Sequence, residues 1–108
     1  PPRHFYSDQL SPDRMWTELT RIMAERIPLV VGTYPATSAR KYRLTGLYPD
    51  HAYTVMTCRE VRGVRKLGLR NPWGEDVRRP GTPRKNGCFE IDFDRFGELI
   101  EVISTVRG

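Results

Sequence analysis

The sequence predicts an α+β fold, with one N-terminal helix packed on a mainly antiparallel β-sheet. Three observations carry that expectation. Helical periodicity is confined to one stretch near the start, period-two alternation follows in several short runs, and glycine and proline punctuate the chain between them. At 108 residues the chain has the length of one hydrophobic core and is too short for two. A hydrophobic content of 38% with 10% aromatics supplies a packed interior and excludes a disordered polyelectrolyte.

Residues 1–10 read as an irregular lead-in. Ser11-Pro12-Asp13 then starts a helix: a hydroxyl to cap, a proline in the first turn and an acid near the positive end of the dipole. Met15, Trp16, Leu19, Ile22, Met23 and Ile27 follow at the spacing of one helical face, and Pro28 ends the helix near Arg26. Leu29-Val30-Val31 reads as a short buried strand closed by Gly32. Residues 33–49, with Pro35, Gly46 and Pro49, read as a long loop. His51 to Cys58 and Val64 to Arg70 form two strands around a turn that includes Gly63, and Asn71-Pro72-Trp73-Gly74 breaks the second. Residues 75–87 form a basic loop. Phe89, Ile91 and Phe93 alternate as a strand, Asp94 caps a short helix through Leu99, and Val102 to Val106 make the last strand.

The charge is +5, with 15 arginines to 3 lysines spread along the chain and one cluster at Arg78, Arg79, Arg84 and Lys85. With no reading helix and no stacking aromatics among these charges, a solvated surface is expected rather than a nucleic-acid interface. No apolar run approaches the ~20 residues of a membrane span, so no membrane partner is expected. The opening residues carry no signal-peptide layout, and the compartment stays open between cytosol and secretion. Cys58 and Cys88 are too few for a disulfide scaffold and have no metal-type spacing with His4 or His51. Free buried thiols are the simpler reading, and one bridge between them is compatible with the sequence.

The parity of the hairpin is the most informative feature of the residues alone. Alternate positions point to opposite faces, so His51, Tyr53, Val55 and Thr57 share one face of the first strand and Arg65, Leu67, Leu69 and Asn71 one face of the second. A turn centred on Val61 sets His51 opposite Asn71, and one centred on Arg62 makes them diagonal neighbours, both within reach of a hydrogen bond. A two-residue turn at Arg62-Gly63 would instead put them on opposite faces. An amide that fixes the tautomer and plane of an imidazole leaves the other ring nitrogen to face a nucleophile. With a thiol nucleophile a neutral amide suffices, because the thiolate supplies the negative charge. A structural histidine at a sheet edge is the competing reading of the same pair.

His51-Ala52-Tyr53-Thr54-Val55, followed by Leu69-Arg70-Asn71-Pro72-Trp73-Gly74-Glu75, resembles the calpain family of papain-like cysteine peptidases. That family carries a glycine-flanked His-Ala-Tyr-Ser-Val strand, a hairpin and then Arg-Asn-Pro-Trp-Gly. Here Gly46-Leu47 precedes the histidine and Thr54 stands where Ser is usual. The flanks resemble it too, in the helix through Trp16, Leu19 and Ile22, and in Gly87-Cys88-Phe89-Glu90-Ile91-Asp92-Phe93 with Phe96. The resemblance implies that residues 11–108 are the His/Asn-bearing C-terminal subdomain of the protease core. It also implies roles: His51 as general base and imidazolium, Asn71 as its orienting amide, and Trp73 as the indole that covers the pair, unless Trp73 is an ordinary core aromatic.

The family's nucleophilic cysteine and oxyanion-hole glutamine belong to the other, N-terminal half, which has no residues here. Cys58 and Cys88 both follow His51, neither sits in a Gly-rich helix start, and Cys58 has the opposite strand parity from His51, so no nucleophile is expected in this chain. The lone glutamine, Gln9, lies in the lead-in. Calpains bind calcium through acidic loops in this half, whereas Glu75 and Asp76 make a poor cage for an ion that takes six to eight oxygens. No cofactor or metal is therefore expected, and the short basic loop resembles that of a microbial member. The function expected is the His/Asn-contributing half of a cysteine endopeptidase acting on protein or peptide, inactive until joined to a cysteine-bearing half. The alternative is a catalytically incomplete module in protein–protein interaction or regulation. An exposed seam around Tyr48, His51, Ala52 and Trp73 is expected in either case.

Overall fold

The computed structural model describes residues 3–71 and 87–105. Six strands form one sheet: β1 (Arg3–Tyr6), β2 (Leu29–Thr33), β3 (Ala52–Val61), β4 (Val64–Arg70), β5 (Cys88–Asp92) and β6 (Ile100–Thr105). Their order across the sheet is β1-β6-β2-β3-β4-β5, with every neighbouring pair antiparallel. Helix α1 (Pro12–Ala24) packs on one face, and a single-turn helix α2 (Phe96–Leu99) leads into β6. This is the α+β architecture expected, one main helix on an antiparallel sheet.

Helix α1 begins where the sequence places it. Ser11 caps it by accepting from the Arg14 amide, and Pro12 occupies the first turn. Met15, Trp16, Leu19 and Ile22 are its buried face, and they join Leu29, Val31, Tyr53, Val55, Leu67, Leu69, Phe89, Ile91 and Ile103 in one core. The opposite sheet face is polar. There Arg59 makes a bidentate pair with Glu90, and Lys66 meets Asp92 at 2.5 Å. Such exposed pairs add little stability, and they use part of the arginine excess without any ligand.

Residues 3–6 are not irregular, contrary to expectation. They form the edge strand β1, paired with β6 from Arg3↔Thr105 to Tyr6↔Val102, and Phe5 packs against the core. Three consecutive β-prone ring residues, His4-Phe5-Tyr6, account for it once β6 offers its open edge. The segment read as a long loop contains a kinked 3-10 stretch over Ala36–Tyr42. Its last residue is a tether: the buried Tyr42 hydroxyl accepts from the Tyr34 amide at 2.8 Å and donates to the Leu99 carbonyl at 2.6 Å. Asp94 does not cap a helix but lies within a 3-10 turn, Phe93–Arg95, that precedes α2.

The hairpin turn is the two-residue one. Arg62 (φ 51°) and Gly63 (φ 81°) both have positive φ, the geometry of a type I′ turn, and Val61 pairs with Val64. Continued without interruption, this register would separate His51 and Asn71. It does not continue. After Thr57↔Gly68 the ladder steps to Val55↔Leu69, so Met56 is an extra residue on β3. This β-bulge shifts the pairing by one, and from Val55 onward odd residues of both strands share a face again. Gly68 accommodates the bulge, because a Cβ there would lie 2.2 Å from Thr57 Oγ1.

The bulge also revises the expected face of Cys58. Cys58 pairs with Leu67 and packs against the core, on the same sheet face as Tyr53 and Val55. Cys88 lies on the opposite face, paired with Arg70, and no disulfide joins the two.

Candidate active site

Three elements converge at the end of the hairpin remote from its turn. β3 starts at Ala52 immediately after His51, β4 ends at Arg70 immediately before Asn71, and β2 ends at Thr33 beside them. The last rung of the hairpin is Thr54↔Arg70, so Asn71 comes level with Tyr53 and diagonal to His51.

The side chains meet there. His51 Nε2 lies 3.4 Å from Asn71 Oδ1. This contact lies at the long end of hydrogen-bond distances. An amide oxygen can only accept, so the imidazole donates through Nε2, and Nδ1 becomes the basic nitrogen of the neutral ring. Asn71 is 2% exposed, and its backbone N–H donates to the Gly87 carbonyl at 3.1 Å, which anchors the residue just past the strand.

Aromatic rings fix the imidazole plane from below. His51 lies against Tyr53 at 4.9 Å between centroids, Tyr53 meets Phe89 edge-on at 5.6 Å, and Tyr48 approaches the imidazole at 6.0 Å. The Tyr53 hydroxyl accepts from the Tyr48 amide at 2.8 Å. Burial pushes the Tyr53 phenol up to about 12, so it remains neutral beneath the histidine. Tyr48, 47% exposed, leaves an apolar edge beside the half-buried His51.

Of the site residues expected, His51 and Asn71 are brought together, and Trp73 lies outside the described residues. So do Glu75, Asp76 and the basic cluster of residues 78–85. Among the described residues no group of three or more His, Cys, Asp or Glu side chains could hold a metal ion. Cys58 is on the correct face but at the wrong end. It lies seven positions along extended chain from His51, roughly 20 Å, and burial pushes its thiol up to about 11, away from a reactive thiolate.

Sequence reasoning missed Thr33. Its hydroxyl accepts from the His51 amide at 2.8 Å and lies 2.7 Å from the Tyr48 carbonyl, and its own amide donates to the His51 carbonyl at 2.9 Å. Nothing in Val31-Gly32-Thr33-Tyr34 signals this, since the contact depends on β2 ending beside a residue 18 positions later.

A family model described as calpain family cysteine protease matches residues 2–81. The chain belongs to the calpain family. Among curated relatives, it is 37% identical over 68 residues to a calpain-type cysteine protease, DEK1, of Arabidopsis thaliana, covering 63% of this chain and 3% of that protein. It is 31% identical over 91 residues to the calpain-like protease palB/RIM13 of Aspergillus oryzae, covering 82% of this chain and 10% of the relative. Calpain-7 of Sus scrofa is 34% identical over 82 residues, covering 54% of this chain and 10% of its own. The calpain-like chain thus spans a tenth or less of the length of these relatives. Its six-stranded antiparallel sheet with one main helix is consistent with a subdomain of a calpain or papain-like core.

Proposed function

We propose that this chain is the His/Asn-contributing half of a calpain-like cysteine endopeptidase, and that it becomes catalytic when a cysteine-bearing half, from the same polypeptide or another, closes over His51. The observation that carries the reading is the contact of His51 Nε2 with Asn71 Oδ1, which leaves Nδ1 as the base. In that role Nδ1 takes the proton of the partner half's thiol, and the thiolate sulfur attacks the peptide carbonyl carbon. As the C–N bond breaks, the imidazolium returns the proton to the leaving amine. The same nitrogen then removes a proton from water, whose oxygen displaces sulfur from the acyl carbon and frees the acid product. Asn71 holds the ring through both transfers without adding charge, and Trp73 is proposed as the cover that keeps water from the pair.

The substrate is a protein or peptide in extended form, and the partner half seats on the rim of Tyr48, His51 and Ala52. Family membership and the apolar exposure of Tyr48 support this reading. The test begins with the parent reading frame, which should encode a Gly-x-Cys-Trp-like segment ahead of Pro1. The chain is then combined with that half and assayed on a fluorogenic peptide. Cleavage that alkylation blocks and His51→Ala abolishes is the expected result. Thiol-dependent cleavage by the 108-residue chain alone, lost on Cys58→Ser or Cys88→Ser, would overturn it.

A further inference from the structure

In an unbroken antiparallel ladder, a hydrogen-bonded pair of residues exchanges both of its amide–carbonyl bonds. Thr33 and His51 stand as the next pair beyond Gly32↔Ala52, and they make one such bond, from the Thr33 amide to the His51 carbonyl at 2.9 Å. In the other direction the His51 amide donates at 2.8 Å to the Thr33 hydroxyl oxygen instead of to a carbonyl. The hydroxyl lies in turn 2.7 Å from the Tyr48 carbonyl and 3.1 Å from that of His51, and its one proton serves the nearer. A single buried side chain, 6% exposed, thus holds the backbone of His51 and of the residue three positions before it.

The position is structurally distinctive. Pairing between β2 and β6 shifts register between Gly32 and Thr33, where the strand leaves its regular path. Asp50, just before His51, has φ of 50° and donates to the Tyr34 carbonyl at 2.6 Å. The chain therefore turns sharply into His51, and Thr33 is the side chain that ties both sides of that turn. Tyr48, the other end of the tie, places its ring against the imidazole.

We propose that Thr33 is a positioning residue for the His51 imidazole: its hydroxyl sets the height and direction at which the ring leaves β3 and thereby its alignment with Asn71 and with an incoming thiol. This rests on the reading of His51 as the base. Misplacing a reacting group by about 1 Å costs on the order of 100-fold in rate, so the tie is decisive even though it touches no substrate.

The test compares Thr33→Val, which keeps shape and removes the hydroxyl, with Thr33→Ser, which keeps the hydroxyl. The imidazole of the 108-residue chain is followed by long-range nitrogen–proton NMR and by proximity of the His51 ring to the Asn71 side-chain amide, with the Val31 and Ile103 amides reporting the fold. In the unaltered chain the Nε2–H tautomer and the Asn71 contact are expected; their absence would remove the reading of His51 as base whatever Thr33 does. Given that pair, Thr33→Val should lose the contact and mix the tautomers, and Thr33→Ser should restore both. In the assembled peptidase Thr33→Val should lower kcat about 10- to 100-fold with KM nearly unchanged. A Thr33→Val chain with the ring signals and kcat of the parent would overturn the proposal. So would failure of Thr33→Ser to restore them, or unfolding of Thr33→Val and Thr33→Ala alike, since Thr33 would then hold the fold rather than the ring.

Discussion

His51 and Asn71 meet, Nε2 to Oδ1 at 3.4 Å, across a hairpin whose two-residue turn would by itself send them to opposite faces of the sheet. One surplus residue, Met56, reconciles turn and site. The bulge is seated by the absence of a side chain at Gly68 under Thr57 Oγ1. Gly68→Ala should therefore destabilise the chain by ~1–3 kcal/mol, read as a lower midpoint in thermal unfolding. A second change, Thr57→Ala, should recover most of the loss. A Gly68→Ala chain as stable as the parent would show that the close approach does not hold the bulge.

Catalysis by the assembled peptidase should divide the site residues by role. On the proposed role of His51 both proton transfers pass through its ring, and His51→Ala should remove at least ~10³-fold of kcat. Asn71→Ala should cost less, roughly 10- to 100-fold, because it loosens the ring without removing the base. Cys58→Ser and Cys88→Ser should leave the rate within about twofold. Steady-state kinetics on one peptide distinguish the four variants.

Two neutral acids lie in the covered half of the sheet and set its behaviour in alkali. Tyr53 is raised from 10.0 to about 12, and Cys58 from 9.0 to about 11, both through burial. Since the fold holds each proton more tightly than the unfolded chain does, stability is undiminished below pH 9 and falls as pH rises through 11 to 12. Tyr53→Phe should flatten that decline, Tyr53 accounting for ~3 kcal/mol of it. Urea titrations at stepped pH measure the slope, and a decline unchanged in Tyr53→Phe would contradict the assignment. Alkylation of Cys58 at pH 8 should be far slower than that of a free thiol, because burial pushes its thiol up to about 11 and leaves little thiolate.

Tyr42→Phe should cost ~1–3 kcal/mol, because it leaves the Tyr34 amide and the Leu99 carbonyl without the hydroxyl they share. Tyr34 opens the segment that delivers His51, and Leu99 anchors it to the end of α2, so the variant should also speed hydrogen exchange over residues 34–50. Protection there equal to the parent would show that the tether does not order the segment.

The helix was legible because its determinants are local: a cap at Ser11, Pro12 after it and an apolar stripe from Met15 to Ile22. The hairpin strands were legible for the same reason, but period-two alternation alone, run back from the two-residue turn that the hairpin uses, puts His51 and Asn71 on opposite faces, and only the bulge at Met56 brings them together. What stayed hidden was set between distant segments. β1 forms because β6 offers an edge nearly a hundred residues later. The bulge at Met56 has no signature in Val55-Met56-Thr57, and Gly68 gains its meaning only from the side chain it faces. Thr33 is ordinary in sequence and central in space, since its partners are the backbone groups of Tyr48 and His51.

Met56 also divides the hairpin into an arm and a socket. Beyond it the strands run out to Val61 and Val64, both exposed, at a tip ten residues from His51. Register errors created at that tip need not propagate inward, because a bulge is where a ladder absorbs them. A tag or fluorophore-bearing peptide spliced between Arg62 and Gly63 would consequently sit outside, leaving the His51–Asn71 end of the hairpin undisturbed.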